Sequence, residues 1–169
     1  MMYVSFVFIA VFIGFAIGSA PIVGFHYGAG NHGELKSLLR KSLTLTVLTG
    51  VGMAALSVAL ATPLSGIFVG YDEGLYELTR RGFLLYSSSF LFAGFGILGS
   101  SFFTALGNGV VSAAISFLRT LLFQVAAVLI LPIFFGIDGI WLSVTAAEIL
   151  AAGVTFAFLV GMRRRYKYM

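Results

Sequence analysis

Cysteine is absent from the sequence, which excludes a disulfide framework, a cysteine-ligated zinc site and a thiol nucleophile together. Charge is nearly as scarce. Only 9% of the 169 residues are Asp, Glu, Lys or Arg, whereas soluble domains carry about 25%, too few here to solvate a water-soluble surface. There is no linker, low-complexity run or block of like charge to mark a domain boundary. Histidine occurs twice, at His26 and His32, and that spacing does not put two ligands on one helix face. HExxH, a clustered Ser/His/Asp set and paired aspartates are also missing. Neither an enzyme nor a resident metal or cofactor is expected. The net charge of +4 comes from a few loops, which fits membrane orientation and not nucleic acid.

What fills the chain is hydrophobic sequence: 60% of residues, with a mean hydropathy of +1.07. A bilayer crossing takes about 20 apolar residues at about 1.5 Å each. Five runs satisfy this, and the sequence predicts an all-α integral membrane protein, a single membrane domain with helices near residues 3–27, 36–69, 76–106, 109–134 and 139–162. In the first run, Gly18, Ser19 and Ala20 imitate a signal-peptide cleavage site, but the start MMYVSFVF lacks positive charge and Pro21 follows at once, so a spanning helix is expected. Gly14 and Gly18 form a GxxxG that would let a neighbour cross closely. In the second, Ser42, Thr44, Thr46 and Thr49 alternate as in a strand, yet the run is far too long for one. On a helix Ser42, Thr46 and Thr49 share a face, and Pro63 is placed to kink the far end. The third holds Ser87, Ser88, Ser89, Gly94, Gly96, Gly99, Ser100 and Ser101, small residues suited to close packing or to a polar cavity. Before it, Glu77 and Arg81 have the spacing of a surface helix pair.

Five crossings put the first loop, the third loop and the C-terminus on one side. That side carries Lys36, Arg40, Lys41, Arg163, Arg164, Arg165 and Lys167, against Arg80 and Arg81 on the other. The basic side is expected to be cytoplasmic, which leaves the N-terminus outside. Trp141, Tyr71 and Tyr76 then fall at the outer interface, and Tyr27, Tyr166 and Tyr168 at the inner one.

Two charges interrupt the fourth and fifth runs, Arg119 and Glu148, on either side of the turn from Gly136 to Gly139. Each lies roughly 14 Å from the nearer surface of a hydrocarbon core about 30 Å thick. Antiparallel neighbours bring them to one depth. A central charge costs about 2.5 to 3.5 kcal/mol on insertion, so each needs a partner. Arg119, Glu148 and Gln124 are the candidate ion or substrate pathway, with Glu148 on a proton or ion path and Arg119 holding its charge. A purely structural pair that fixes two helices is the competing reading.

Gly28, Gly30 and Gly33 spell GxGxxG, but an apolar helix precedes them and the expected downstream acid is missing, so a nucleotide site is not expected. PIVGFHYGAGN (residues 21–31), followed by the basic stretch Lys36 to Lys41, resembles the multidrug and toxic compound extrusion (MATE) family. FFTALGNG (residues 102–109) and LRTLLFQVAAVLILPIFFGIDGIW with AAEIL (within residues 118–150) are similar to the end of that family's tenth helix and to its eleventh and twelfth. The resemblance implies the last five of twelve helices, part of the C-terminal six-helix lobe. It also implies an antiporter that exports small organic, often cationic, compounds in exchange for protons or sodium ions across the plasma membrane. A further chain would then supply the missing N-terminal helices. Ala20 stands where many members have glutamine and His26 where asparagine is common. The ion-binding acid some members carry in the tenth helix is missing here. A lipid-linked saccharide flippase, or a non-transporting membrane subunit, is the alternative.

Overall fold

The structure, a computed structural model, describes residues 2–168. All regular structure among the described residues is helical: α1 (Met2–Gly28), α2 (His32–Val69), α3 (Glu73–Ser87), α4 (Phe90–Ala105), α5 (Gly109–Phe117), a π-helical segment (Leu118–Phe123), α6 (Gln124–Phe135) and α7 (Ile137–Tyr166). Among the described residues, four stretches are long and apolar enough to cross a bilayer: Tyr3–Gly28, His32–Val69, Gly109–Phe135 and Ile137–Tyr166. A fifth is the pair α3 and α4, bent by 46° where they meet.

The turns follow from local chemistry. Gly30 and Gly107 take positive φ values of 67° and 76°, which end α1 and α4 and which an L side chain rarely adopts. In both cases the next residue is an asparagine that starts the following helix. Asn31 accepts the Glu34 backbone N–H at 3.2 Å, and Asn108 that of Val111 at 3.2 Å. Asp72 does the same for Leu75, at 3.0 Å. The bend between α3 and α4 lies at a serine triplet. Ser87 and Ser88 donate to the carbonyls of Leu84 and Leu85 at 2.7 and 2.8 Å, competing with the helical ladder where it breaks.

α4 sits in the middle, touching α1, α2, α5 and α7, and its glycines explain why four neighbours fit. A Cβ at Gly94 would lie 2.5 Å from both Phe12 and Thr46, and one at Gly99 would run into Thr155. Opposite, Gly50 of α2 lets the Phe90 carbonyl approach to 2.8 Å of where its Cβ would be. The close crossings are therefore here and not at the expected GxxxG. Gly14 and Gly18 meet nothing within 4 Å, because α1 turns that face outward. α2 also runs through Pro63 without interruption. The Glu77 and Arg81 pairing gives way to a longer-range one, Arg81 with Asp138, which ties α3 to the first turn of α7.

Among the described residues, two apolar clusters hold the bundle. One joins Phe8 and Phe12 of α1 to Met53 and Phe90. The larger lies at the basic end, where Val23, Leu35, Phe102, Phe103, Leu159 and Tyr166 meet. Past α7, Lys167 adopts a left-handed φ of 54° and folds Tyr168 back under the bundle. Its hydroxyl donates to the Leu159 carbonyl at 3.0 Å. Burial, with Tyr166 alongside, pushes its phenol up to about 12.

Candidate ion and substrate pathway

Arg119 belongs to the π-helical segment, whose i→i+5 bonding makes a wider turn than the α-helices around it. Its guanidinium crosses to α7. Nε lies 3.1 and 2.9 Å from the two carboxylate oxygens of Glu148, and Nη2 donates to Oε1 at 2.7 Å. Room for this is made by Gly96 of α4, where a Cβ would stand 2.8 Å from the Arg119 Cδ. Only 9% of the Glu148 side chain and 20% of the Arg119 side chain are exposed. Removing two charges from water is costly, and the doubled, charge-assisted contact is the geometry that offsets it. What results is a neutral pair, sequestered from solvent on the carboxylate side.

The Arg119 side opens on a cavity of about 270 Å³ between α1 and α4, walled by Ile13 and Ile17 on one side and by Ser100, Ser116 and Thr120 on the other. From that wall the hydroxyls continue in contact: Ser116 to Ser100 at 2.8 Å, Ser100 to Ser112 at 2.9 Å and Ser112 to Thr104 at 2.7 Å. Beyond Glu148, Thr145 bonds to Ser88 at 2.8 Å, at the bend between α3 and α4. A second cavity, about 310 Å³ and almost wholly apolar, is framed by Phe6, Tyr86, Val128 and Trp141.

Of the three residues singled out from sequence, the fold brings Arg119 and Glu148 into direct contact. Gln124, half-buried at the start of α6, makes no side-chain hydrogen bond among the described residues. The glycines of the GxGxxG lie in a helix–turn–helix with no strand before them, and no three His, Cys, Asp or Glu side chains cluster among the described residues. Sequence reasoning did not single out Ser112 and Ser116. Their i, i+4 spacing near the start of an otherwise apolar span was the available signal.

A sequence profile of the MatE family matches residues 1–130. The chain belongs to the MatE family. Its fold is similar to that of the Vibrio cholerae MATE transporter VcmN in the bent form, with a TM-score of 0.86 and 20% identity over 95% of this chain and 36% of that one. It is equally similar to a multidrug resistance MATE family transporter of the MOP superfamily in an outward-facing conformation, with a TM-score of 0.88 and 19% identity over 98% of this chain and 38% of that one. No curated protein matches. The MatE chain thus spans well under half the length of these solved transporters. The profile ends before Glu148, so it is the structural likeness that carries the MatE fold through α7. The Arg119–Glu148 pair therefore joins a segment inside the profile match to one beyond it.

Proposed function

We propose that this MatE chain contributes part of the C-terminal lobe of a multidrug or cation efflux antiporter, which exports small organic cations in exchange for protons or sodium ions. The observation that carries this reading is the Arg119–Glu148 pair in mid-span, whose arginine borders a cavity with one wall of hydroxyls. Intramembrane charges are costly enough that their default role is functional, on an ion or substrate path. Antiport needs a group whose charge can be traded, and Glu148 is the carboxylate held at that depth. The exporter sits in the plasma membrane, with the C-terminus of this chain in the cytoplasm and its N-terminus outside, as the excess of Lys and Arg near Lys36 and Arg163 directs. The remaining helices of the transporter come from further sequence or a partner chain. The family's membership of transporters also speaks against an enzyme.

Glu148→Gln tests the reading, because it keeps shape and hydrogen-bonding capacity while removing the charge. The expected result is a folded membrane protein at wild-type level whose cells no longer export a fluorescent organic cation. Undiminished export by that variant would overturn the assignment.

A further inference from the structure

The basic end of the bundle has little negative charge to balance it. The first turns of α2 carry Lys36, Arg40 and Lys41 against one acid, Glu34, and α7 closes on Arg163, Arg164 and Arg165. Among the described residues, none of Lys36, Arg40 and Lys41 has an ion-pair partner. Lys36 and Arg40 stand one turn apart, where like charges repel. A recess of about 240 Å³ opens beside them, with Lys36, Leu39, Arg40, Leu43 and Thr44 on one side and Tyr168 on the other. Arg40 and Thr44 also border a wider hollow along α2, together with Ser37, Lys41 and Leu45. We propose that this recess binds an anionic phospholipid, its phosphodiester held by Lys36, Arg40 and Lys41 and an acyl chain laid along Leu45 and Leu48. The proposal does not depend on the antiport reading.

Depth, chemistry and periodicity support a lipid. From Ser42 to Val69 α2 holds no charged residue, so Lys41 marks where the headgroups give way to hydrocarbon. Lys36 to Lys41 covers about 7.5 Å of helix axis, and each headgroup layer is about 5 to 8 Å thick once a core of about 30 Å is taken from a bilayer of about 40 to 45 Å. The three cations therefore span that layer. Other hydroxyls at the recess are already spent: Tyr168 donates to the Leu159 carbonyl and Thr44 to the Arg40 carbonyl, both at 3.0 Å. What remains are charged donors, which a phosphodiester matches because it offers acceptors only. A zwitterionic headgroup brings its own cation, which these residues repel. Lys41, Leu45, Leu48 and Val51 follow one another at helical spacing down a single face, and the last three are 48%, 63% and 53% exposed. Cations above bare apolar side chains have the layout of a phospholipid, whereas a free phosphate would leave the lower part unused. In the orientation proposed above this end faces the cytoplasmic leaflet, whose anionic lipids attract Lys and Arg flanking a span.

Thermal unfolding of the full chain in an uncharged detergent, titrated with phosphatidylglycerol at physiological salt, tests the site. The melting temperature is expected to rise and saturate with phosphatidylglycerol, and to stay put with phosphatidylcholine of the same acyl chains or with inorganic phosphate. Replacing Lys36, Arg40 and Lys41 together by Gln is expected to raise the half-saturating concentration about a hundredfold, roughly fivefold for each cation. Lys36→Arg with Lys41→Arg keeps the wild-type response. Arg163→Gln with Arg164→Gln, which removes charge from the same end but not from the recess, changes the response no more than about twofold. Lipid retained through purification, counted by native mass spectrometry, gives the same comparison without unfolding. An equal response to phosphatidylcholine or to inorganic phosphate overturns the lipid site. So does undiminished binding by the triple variant, or a loss as large in the Arg163 and Arg164 pair. Export is not read in this experiment, so it and the Glu148→Gln test fail separately.

Discussion

α4 and α6 draw on the same apolar alphabet, yet α4 buries eight of its sixteen residues against neighbours and α6 buries only Ala127. Their difference lies in the small residues. Gly94, Gly96 and Gly99 let other helices press against the α4 backbone, whereas α6 presents Leu129, Ile133 and Phe134, all more than half exposed, to its surroundings. In a bilayer the lipid tails are as apolar as leucine, so hydrophobicity does not pull one helix onto another. Close packing and polar contacts do, and α4 collects both. Hydropathy therefore reveals that a segment crosses, while glycine and serine reveal where it is held.

The largest test of this contrast removes charge from the side of the bundle held by α4. Arg119→Leu strands Glu148 and is expected to cost about 3 to 5 kcal/mol of stability, whereas the double variant Arg119→Met with Glu148→Leu returns close to wild type. Unfolding in a denaturing detergent series measures both. A smaller effect belongs to backbone contact. Gly50→Ala pushes a methyl against the Phe90 carbonyl, 2.8 Å away, and is expected to cost about 1 to 3 kcal/mol. Gly161→Ala, where nothing lies within 4 Å, should stay within about 0.5 kcal/mol in the same assay. Equal losses at the two sites would erase the distinction between held and free faces.

The smallest effect concerns the tyrosine packed on the far end of α4. Tyr168→Phe loses the bond to the Leu159 carbonyl, worth about 0.5 to 1.5 kcal/mol. It also changes the alkaline limb. Because folding raises the Tyr168 phenol from 10.0 to about 12, the unfolded chain releases its proton first as pH rises, and stability falls between these values. The variant should lack that part of the slope, as melting temperatures across the range will record.

Much of this was legible before any coordinates. Length and apolarity give the spans, and the scarcity of charge makes Arg119 and Glu148 conspicuous enough to be matched by depth alone. The turns were legible too, because Gly-Asn carries both a positive φ and a cap. Other features were not. Twenty-one glycines offer many possible crossings, and only the relative rotation of helices selects Gly94, Gly96 and Gly99 over Gly14 and Gly18. Arg81 chose Asp138 over its own helix neighbour because the fold brings the α7 turn within reach, a distance no local spacing encodes. The hydroxyl row is hidden for the same reason, since its members come from two helices. The π-helical segment has no cue in LRTLLF, whose residues suit an α-helix as well.

That segment makes the gene tolerant of length in one place. Loss of a single codon between Leu118 and Phe123 would remove the extra residue of the wide turn and leave ordinary helix, with everything from Gln124 onward close to its present bearing. The same loss inside α6 would swing all that follows by about 100° and turn Ile133 and Phe134 toward new company.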